Sequence, residues 1–231
     1  MPLSIDKKKK LFFYLVIFIL LTTQIEKKQY TEKKFYSKKN NIEVSGLALD
    51  ENLKISESLN PLFFKNIFFL DKNSFSKVLD KNSLIENFSI KKIYPNTINV
   101  NIKKTDFLAI TKIKNKKYYI GSNGKLTEIN KDDNYKKELP FVFTKNNYED
   151  FLKLKKIIDK SKIRFEDIES FYYFQNNRWD FKTKNGVLIK LPEKKILDSL
   201  QTVYLIKLDR KFKETKTIDL RVSNNIIITN E

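Results

Sequence analysis

Neighbouring carboxylates are the residues of this chain whose spacing comes closest to a catalytic set. Asp132-Asp133 and Glu166-Asp167 each place two acids side by side, and paired carboxylates perform glycoside hydrolysis in many enzymes. Both pairs lie in polar segments without apolar periodicity, where solvated residues are expected. We therefore expect these acids to lie on the surface and to take no part in catalysis.

Histidine and cysteine are absent from all 231 residues. This absence excludes disulfide bonds, thiolate or imidazole metal ligands, histidine acid–base catalysis and a Ser-His-Asp triad. Ser-Lys nucleophile pairs stay open, because both residue types are abundant, but no spacing singles one out. The residues predict a protein that is not an enzyme and holds no cofactor, metal or small-molecule substrate.

Two Asn-Gly dipeptides mark predicted hairpins. The segment Gly121-Ser122-Asn123-Gly124 has the glycines of a phosphate loop, but it lacks the following Lys-Ser/Thr and leads into a predicted strand instead of a helix. The second dipeptide is Asn185-Gly186. Asn-Gly suits the positive φ angles of a type I′ turn, so we predict a type I′ hairpin at each place.

The formal net charge of +18 raises the question of a nucleic-acid or anionic membrane partner. The basic residues are almost all Lys and are spread along the chain, whereas nucleic-acid readers concentrate charge and use Arg for bidentate contacts. The chain is also rich in residues that A+T-rich codons encode. We interpret the charge as compositional bias and expect no nucleic-acid partner.

An apolar run follows a basic cluster at the N-terminus. Lys7–Lys10 precede an unbroken apolar stretch, residues 11–21. A cleaved signal peptide needs small residues at its cleavage site, and no Ala occurs before Ala48, so a retained anchor is favoured. Basic residues stay in the cytoplasm. We predict a single-pass membrane protein whose C-terminal part lies on the far side of the membrane, which in a bacterium is the periplasm: cytoplasmic tail 1–10, transmembrane helix 11–25 and linker 26–40.

Apolar patterns after the linker predict a small α+β unit, residues 41–104. Ile42 and Val44 alternate as a strand, and Asp50 is a candidate N-cap for a helix that carries Leu53. A second helix has two candidate N-caps, Asp71 and Asn73, and presents three apolar residues at helical spacing: Phe75, Val78 and Leu79.

The last strand of this unit is the most clearly specified. It follows a turn at Tyr94-Pro95-Asn96 and alternates, with Ile98, Val100 and Ile102 on one face and Asn99, Asn101 and Lys103 on the other. The unit is therefore predicted to run strand, helix, helix, strand, strand.

From Thr105 onward, apolar alternation predicts a mostly antiparallel sheet with two helices. One helix spans Tyr148 to Asp159 and presents Phe151, Leu154 and Ile158. The other opens with Pro192 in its first turn and presents Ile196, Leu200, Val203, Tyr204 and Leu208. The predicted fold class is α+β: a transmembrane helix, a β-α-α-β-β unit and a mostly antiparallel β domain, residues 105–231.

This ordered set of motifs resembles the FtsQ/DivIB family of bacterial cell-division proteins over essentially the whole chain. The residues that match the family's POTRA domain are Ile42–Gly46, Asn66–Phe68, Ile90 and Tyr94–Ile102. Those that match its β domain are Gly124, Leu139-Pro140, Trp179, Gly186, Leu191-Pro192 and Ile218–Arg221. Two places depart from the family: Gly121-Ser122-Asn123, where Asp is frequent, and Lys103–Asp106, where Glu is usual.

The resemblance implies a divisome scaffold that binds FtsB and FtsL, recruits later division proteins and helps to control septal peptidoglycan synthesis. FtsB binding is expected near the C-terminal strand. Read from its residues alone, that segment is a hairpin or edge strand, and an apolar terminal strand exposes backbone groups that invite strand addition. The predicted partner-binding residues are Ile218, Asp219, Leu220, Arg221, Val222, Ile226, Ile227 and Ile228.

Three alternatives stay open at this point. An envelope assembly or secretion protein with a POTRA domain should carry several such domains or a β-barrel. A membrane-tethered nucleic-acid-binding protein should show clustered Arg and aromatic residues, and a cell-wall enzyme should show a convergent catalytic set.

Overall fold

The computed structural model describes most of the chain after residue 40 and one N-terminal helix. Residues 1–40 and 41–231 form separate units. In the first unit, helix α1 spans Lys7–Thr22. No helix in the described part of the chain has both the length and the hydropathy of a membrane span. The described residues are 7–22, 41–63, 71–129, 138–144, 148–209, 214–222 and 225–230.

A three-stranded sheet with two helices, here called the three-stranded module, opens the second unit. The strand order is β1-β3-β2, with β1 parallel and β2 antiparallel to β3. Ile98, Val100 and Ile102 of β3 are buried, which confirms the predicted alternation and element order. The elements are β1 Asn41–Ser45, α2 Leu49–Leu59, α3 Lys72–Leu79, β2 Ile85–Ile93 and β3 Thr97–Lys104. The motif Asn66–Phe68 lies outside the described residues.

The structure shows which of the predicted N-cap residues hold the cap positions of the two helices in this module. Asp50 is not an N-cap, because α2 begins one residue earlier and Ala48 holds the cap position. There the Glu51 carboxylate accepts a hydrogen bond from the N–H of the cap residue Ala48 (3.4 Å), which is one half of a capping box, while the alanine side chain has no atom that could accept from the helix N–H groups. At α3, Asp71 is the cap and accepts from the Asn73 N–H at 2.9 Å.

A nine-stranded mixed sheet with two helices, here called the nine-stranded module, follows. Its strand order is β12-β11-β10-β9-β8-β7-β4-β5-β6. Five neighbouring pairs are antiparallel and three are parallel, in agreement with a mostly antiparallel sheet. The strands are β4 Phe107–Ile113, β5 Lys116–Gly121, β6 Leu126–Glu128, β7 Phe141–Phe143, β8 Ile168–Phe174, β9 Arg178–Thr183, β10 Leu188–Lys190, β11 Thr217–Asp219 and β12 Ile227–Thr229.

Helices α4 (Tyr148–Asp159) and α5 (Ile196–Leu208) pack on one face of this sheet, the inner face. Helix α4 has the predicted bounds and buries Phe151, Leu154 and Ile158. The predicted start of α5 at Pro192 is wrong. The chain bends after Leu191, and Lys195, with φ +59°, turns it into the helix at Ile196.

The Asn-Gly hairpins form where they were predicted, but their turn type is wrong. Only Gly124 (φ +76°) and Gly186 (φ +86°) are left-handed, and the preceding asparagines are not. Each glycine follows a tight turn and widens the hairpin by one residue. The pair of positive φ angles that a type I′ turn requires lies at Lys114-Asn115 (44° and 67°), between β4 and β5.

Candidate functional site

Strand β12 forms one edge of the nine-stranded sheet. It pairs antiparallel with β11, with Ile218 opposite Ile228 and Asp219 opposite Ile227. Strand β11 is held on its other side by β10, in parallel register. Within the described chain, β12 therefore has a strand on one side only, and its second row of backbone groups faces outward.

The structure divides the eight predicted partner-binding residues between core and surface. Ile218 and Leu220 are buried in the hydrophobic core, and Ile228 is half-buried against it. Asp219 is also buried. The residues that a partner can reach directly are Arg221, Val222, Ile226 and Ile227.

Asp219 and Arg221 form a bidentate ion pair beside this edge. The Arg221 side chain donates from Nε to both carboxylate oxygens of Asp219, at 2.8 Å to Oδ1 and 2.9 Å to Oδ2, and from Nη2 to Oδ2. The backbone N–H of Arg221 also donates to Oδ1, at 3.1 Å. The side-chain hydrogen bonds from Arg221 hold the pKa of Asp219 below its usual value, and Asp219 raises the pKa of Arg221. The pair fixes the guanidinium next to the exposed end of the sheet.

The pair belongs to a row of charges on the outer face of the sheet, the face opposite α4 and α5. The strand register places Asp180 next to Lys190, Lys190 next to Asp219, and Asp219 next to Ile227. Arg178 Nε lies 3.3 Å from Asp180 Oδ1. Burial raises the pKa of Asp180, while Arg178 and Arg221 oppose that rise. Neither Asp180 Oδ1 nor Arg178 Nε has a hydrogen-bond partner among the described residues.

Arg178, Asp180 and Lys190 were not among the residues predicted from the sequence. The signal for Arg178 and Asp180 was the alternation in β9, where Trp179 and Phe181 are buried, so that their neighbours face the other way. What no local pattern gives is the register that places β9 and β10 beside the C-terminal strands. This arrangement suits recognition of another polypeptide by edge pairing and by fixed charges.

The candidate catalytic acids occupy surface positions where the structure describes them. Glu166 and Asp167 are exposed on a 3₁₀ turn, Phe165–Asp167, and Asp132-Asp133 lies outside the described residues. The Gly121–Gly124 segment is a hairpin tip that leads into β6, as expected. The described residues contain no group of three or more acids placed to hold a metal ion.

Two family models match this chain in the order of its two modules. The model described as "POTRA domain, FtsQ-type" matches residues 37–104, and "Cell division protein FtsQ/DivIB, C-terminal" matches residues 109–221.

Curated relatives named "Cell division protein FtsQ" agree with these matches. The protein of Agrobacterium fabrum is 22% identical over 189 residues, 81% of this chain and 59% of its own length. That of Rickettsia typhi is 27% identical over 197 residues, 81% of this chain and 71% of its own length. The chain thus spans about three fifths of the Agrobacterium protein. Both family models and these relatives show that the chain belongs to the FtsQ/DivIB family of cell division proteins.

Proposed function

We propose that this chain is a non-enzymatic scaffold of the divisome that binds FtsB, in the FtsB–FtsL pair, along the free edge of β12. Through that contact it recruits later division proteins and helps to control septal peptidoglycan synthesis. The observation that carries the proposal is the exposed apolar edge of the nine-stranded sheet. About half of the surface of each of the residues Val222, Ile226 and Ile227 is exposed (50%, 49% and 50%).

An edge of this kind favours a partner strand. Monomeric proteins protect sheet edges with charges, proline or bulges, but β12 and the residue before it read Ile-Ile-Ile-Thr. An added strand pairs with the outward backbone groups of β12 and covers Ile226 and Ile227 with its own side chains. The Asp219–Arg221 pair then provides a fixed cation and anion at the border of the contact.

The proposal includes the placement of the chain in the envelope. The apolar segment 11–25 anchors it in the inner membrane, with residues 1–10 in the cytoplasm and residues 26–40 as a periplasmic linker. Residues 41–104 form the POTRA domain and residues 105–231 the β domain. The order of the two matched models supports the two-domain part of this arrangement.

The binding test replaces Ile227 with Asp, because an acid at this position is poorly accommodated beside an added apolar strand. We expect the full-length variant, co-expressed in membranes with FtsB and FtsL of the same organism, to lose most of their co-purification. Leu205→Asp is the matched control, since Leu205 is an exposed apolar residue of α5 (65% exposed). Equal capture by the Ile227→Asp variant and the control would contradict binding at β12.

The cellular test follows an N-terminal fluorescent fusion through the division cycle. A band at midcell that sharpens with constriction is expected of a divisome scaffold. A uniform envelope signal at all stages would contradict the septal placement, and a signal over the nucleoid would contradict the interpretation of the +18 charge as compositional bias.

A further inference from the structure

The tip of the β5–β6 hairpin, Ser122–Lys125, contacts the three-stranded module at the start of β2. Asn123 Nδ2 donates hydrogen bonds to the backbone carbonyls of Ser83 (2.9 Å) and Ile85 (2.8 Å). Its Oδ1 accepts from the Lys125 N–H at 2.9 Å, which fixes the amide within its own turn. One side chain thus joins the two modules through main-chain groups, which are present whatever the side chains of β2.

Lys125 extends this contact to the end of helix α3. Its ammonium donates to the carbonyl of Asp80, the C-cap residue, and to that of Asn82 at 3.3 Å. The last carbonyls of a helix lack partners within the helix and carry partial negative charge. A residue of the nine-stranded module therefore completes a helix end of the three-stranded module.

Glu86 of β2 adds hydrogen bonds in which the three-stranded module supplies the accepting side chain. Its carboxylate accepts from the Ser122 hydroxyl (2.6 Å) and from the hydroxyl of Thr105 (3.2 Å). Thr105 is buried and lies in the short link between β3 and β4. Glu86 consequently ties the hairpin tip to the link that joins the two modules.

The two hydrophobic cores do not share residues. One cluster gathers α2, α3 and the three-stranded sheet, and the other gathers α4, α5 and the nine-stranded sheet. The contacts described above between the hairpin tip and the three-stranded module are hydrogen bonds, and hydrogen bonds are directional. The hairpin tip supplies four of them to backbone carbonyls and one to Glu86.

We propose that the tip residues Ser122, Asn123 and Lys125 form a latch that fixes the orientation of the three-stranded module relative to the nine-stranded module. With the latch closed, the surfaces of both modules present themselves to partners as one rigid body. Opening it leaves each core intact and turns the link around Thr105 into a hinge. This device is independent of what binds at β12.

A distance measurement between the modules tests the latch. The natural chain has no cysteine, so Asn101→Cys and Lys156→Cys, both at exposed positions, provide a single pair of sites for spin labels in the full-length protein. We expect a narrow distance distribution with the latch intact. Adding Asn123→Ala and Lys125→Met should broaden it at least twofold.

The second Asn-Gly hairpin provides the matched control. Lys184→Met with Asn185→Ala makes the same chemical changes at an exposed tip and should leave the distribution narrow. Equal width in the latch variant and the control, with both folded by the fluorescence of the single buried Trp179, would overturn the proposal. If the double variant does not fold, the single variant Lys125→Met, which removes only one amine, is measured instead. Its distance distribution should then be broader than that of the control, and equal width would overturn the proposal.

Discussion

The two Asn-Gly hairpins share a backbone conformation and differ in what their tips contact. In the β5–β6 hairpin, the Gly124 N–H donates to the Gly121 carbonyl at 2.9 Å, and the Gly121 N–H donates to that of Lys125 at 3.0 Å. In the β9–β10 hairpin, the Gly186 N–H donates to the Thr183 carbonyl at 2.8 Å, and the Thr183 N–H donates to the Val187 carbonyl at 2.9 Å. The local geometry of the two turns is the same.

Their surroundings are not the same. Asn123 bonds to two carbonyls of the three-stranded module, whereas Asn185 is exposed. The second tip makes its contact through Lys184, whose ammonium lies 2.9 Å from the Glu138 carboxylate in an exposed ion pair. The dipeptide therefore determines the turn, while the position of the turn in the fold determines whether its asparagine joins two modules or faces water.

Alanine substitution should distinguish the stabilities of the two hairpins most at the residue that opens each turn, which is Gly121 in the first and Thr183 in the second. A Cβ at Gly121 would lie 2.6 Å from Asn123 Oδ1 and 2.8 Å from Thr105 Oγ1, so Gly121→Ala should displace the residues that hold the latch. We expect a loss of about 2–3 kcal/mol in the free energy of unfolding, as for other overpacked sites. Urea unfolding followed by Trp179 fluorescence measures it.

Thr183→Ala is the control for that prediction. It removes the hydroxyl that the Val187 N–H donates to at 3.2 Å, and it introduces no close contact. We expect about 1 kcal/mol of destabilisation from the lost hydrogen bond. An equal or smaller effect of Gly121→Ala would show that the first tip has room to relax and that its surroundings do not constrain it.

Alanine substitution of the two left-handed glycines should cost the two hairpins nearly the same stability. Gly124→Ala and Gly186→Ala each place a Cβ on a residue with positive φ, at a cost of about 1 kcal/mol. Among the described residues, the new Cβ at Gly124 would meet only Leu152 Cδ1, at the ordinary distance of 3.4 Å, and the one at Gly186 would meet no atom within 4 Å. Urea unfolding should therefore give nearly equal losses, and a cost at Gly124 more than about 1 kcal/mol above that at Gly186 would contradict the shared turn geometry.

How far the sequence predicts this molecule depends on the distance over which a feature is determined. The alternation of Ile98, Val100 and Ile102 and the bounds of α4 follow from local periodicity and were predicted correctly. The start of α5 was not, because the left-handed Lys195 has no strong signal in its residue type. The burial of Ile218 and Leu220 was not foreseen either, since it results from packing in the core of the assembled nine-stranded module.

The latch could not be predicted from the sequence either, because it also depends on contacts between distant parts of the chain. Its bonds join residues about 40 positions apart along the chain, as from Asn123 to Ser83, and neither partner belongs to a periodic pattern. The registers that set Asp180 beside Lys190 and Lys190 beside Asp219 are likewise properties of the assembled sheet. Local patterns predict elements, and these contacts arise between elements.

The smallest expected effect concerns the ion pair at the second tip. The hydrogen bond from Lys184 holds the pKa of Glu138 below its usual value. A carboxylate whose pKa is lower in the folded chain stabilises the fold above the pKa of the unfolded chain, and this contribution is lost as the pH falls through the folded value. Lys184→Ala should therefore raise the pKa of Glu138 to the usual range for Glu and leave the stability at neutral pH unchanged within error, because both side chains are exposed. A carbon-13 NMR titration of the Glu138 carboxyl measures the pKa, and its independence from Lys184 would show that the second tip makes no persistent contact in solution.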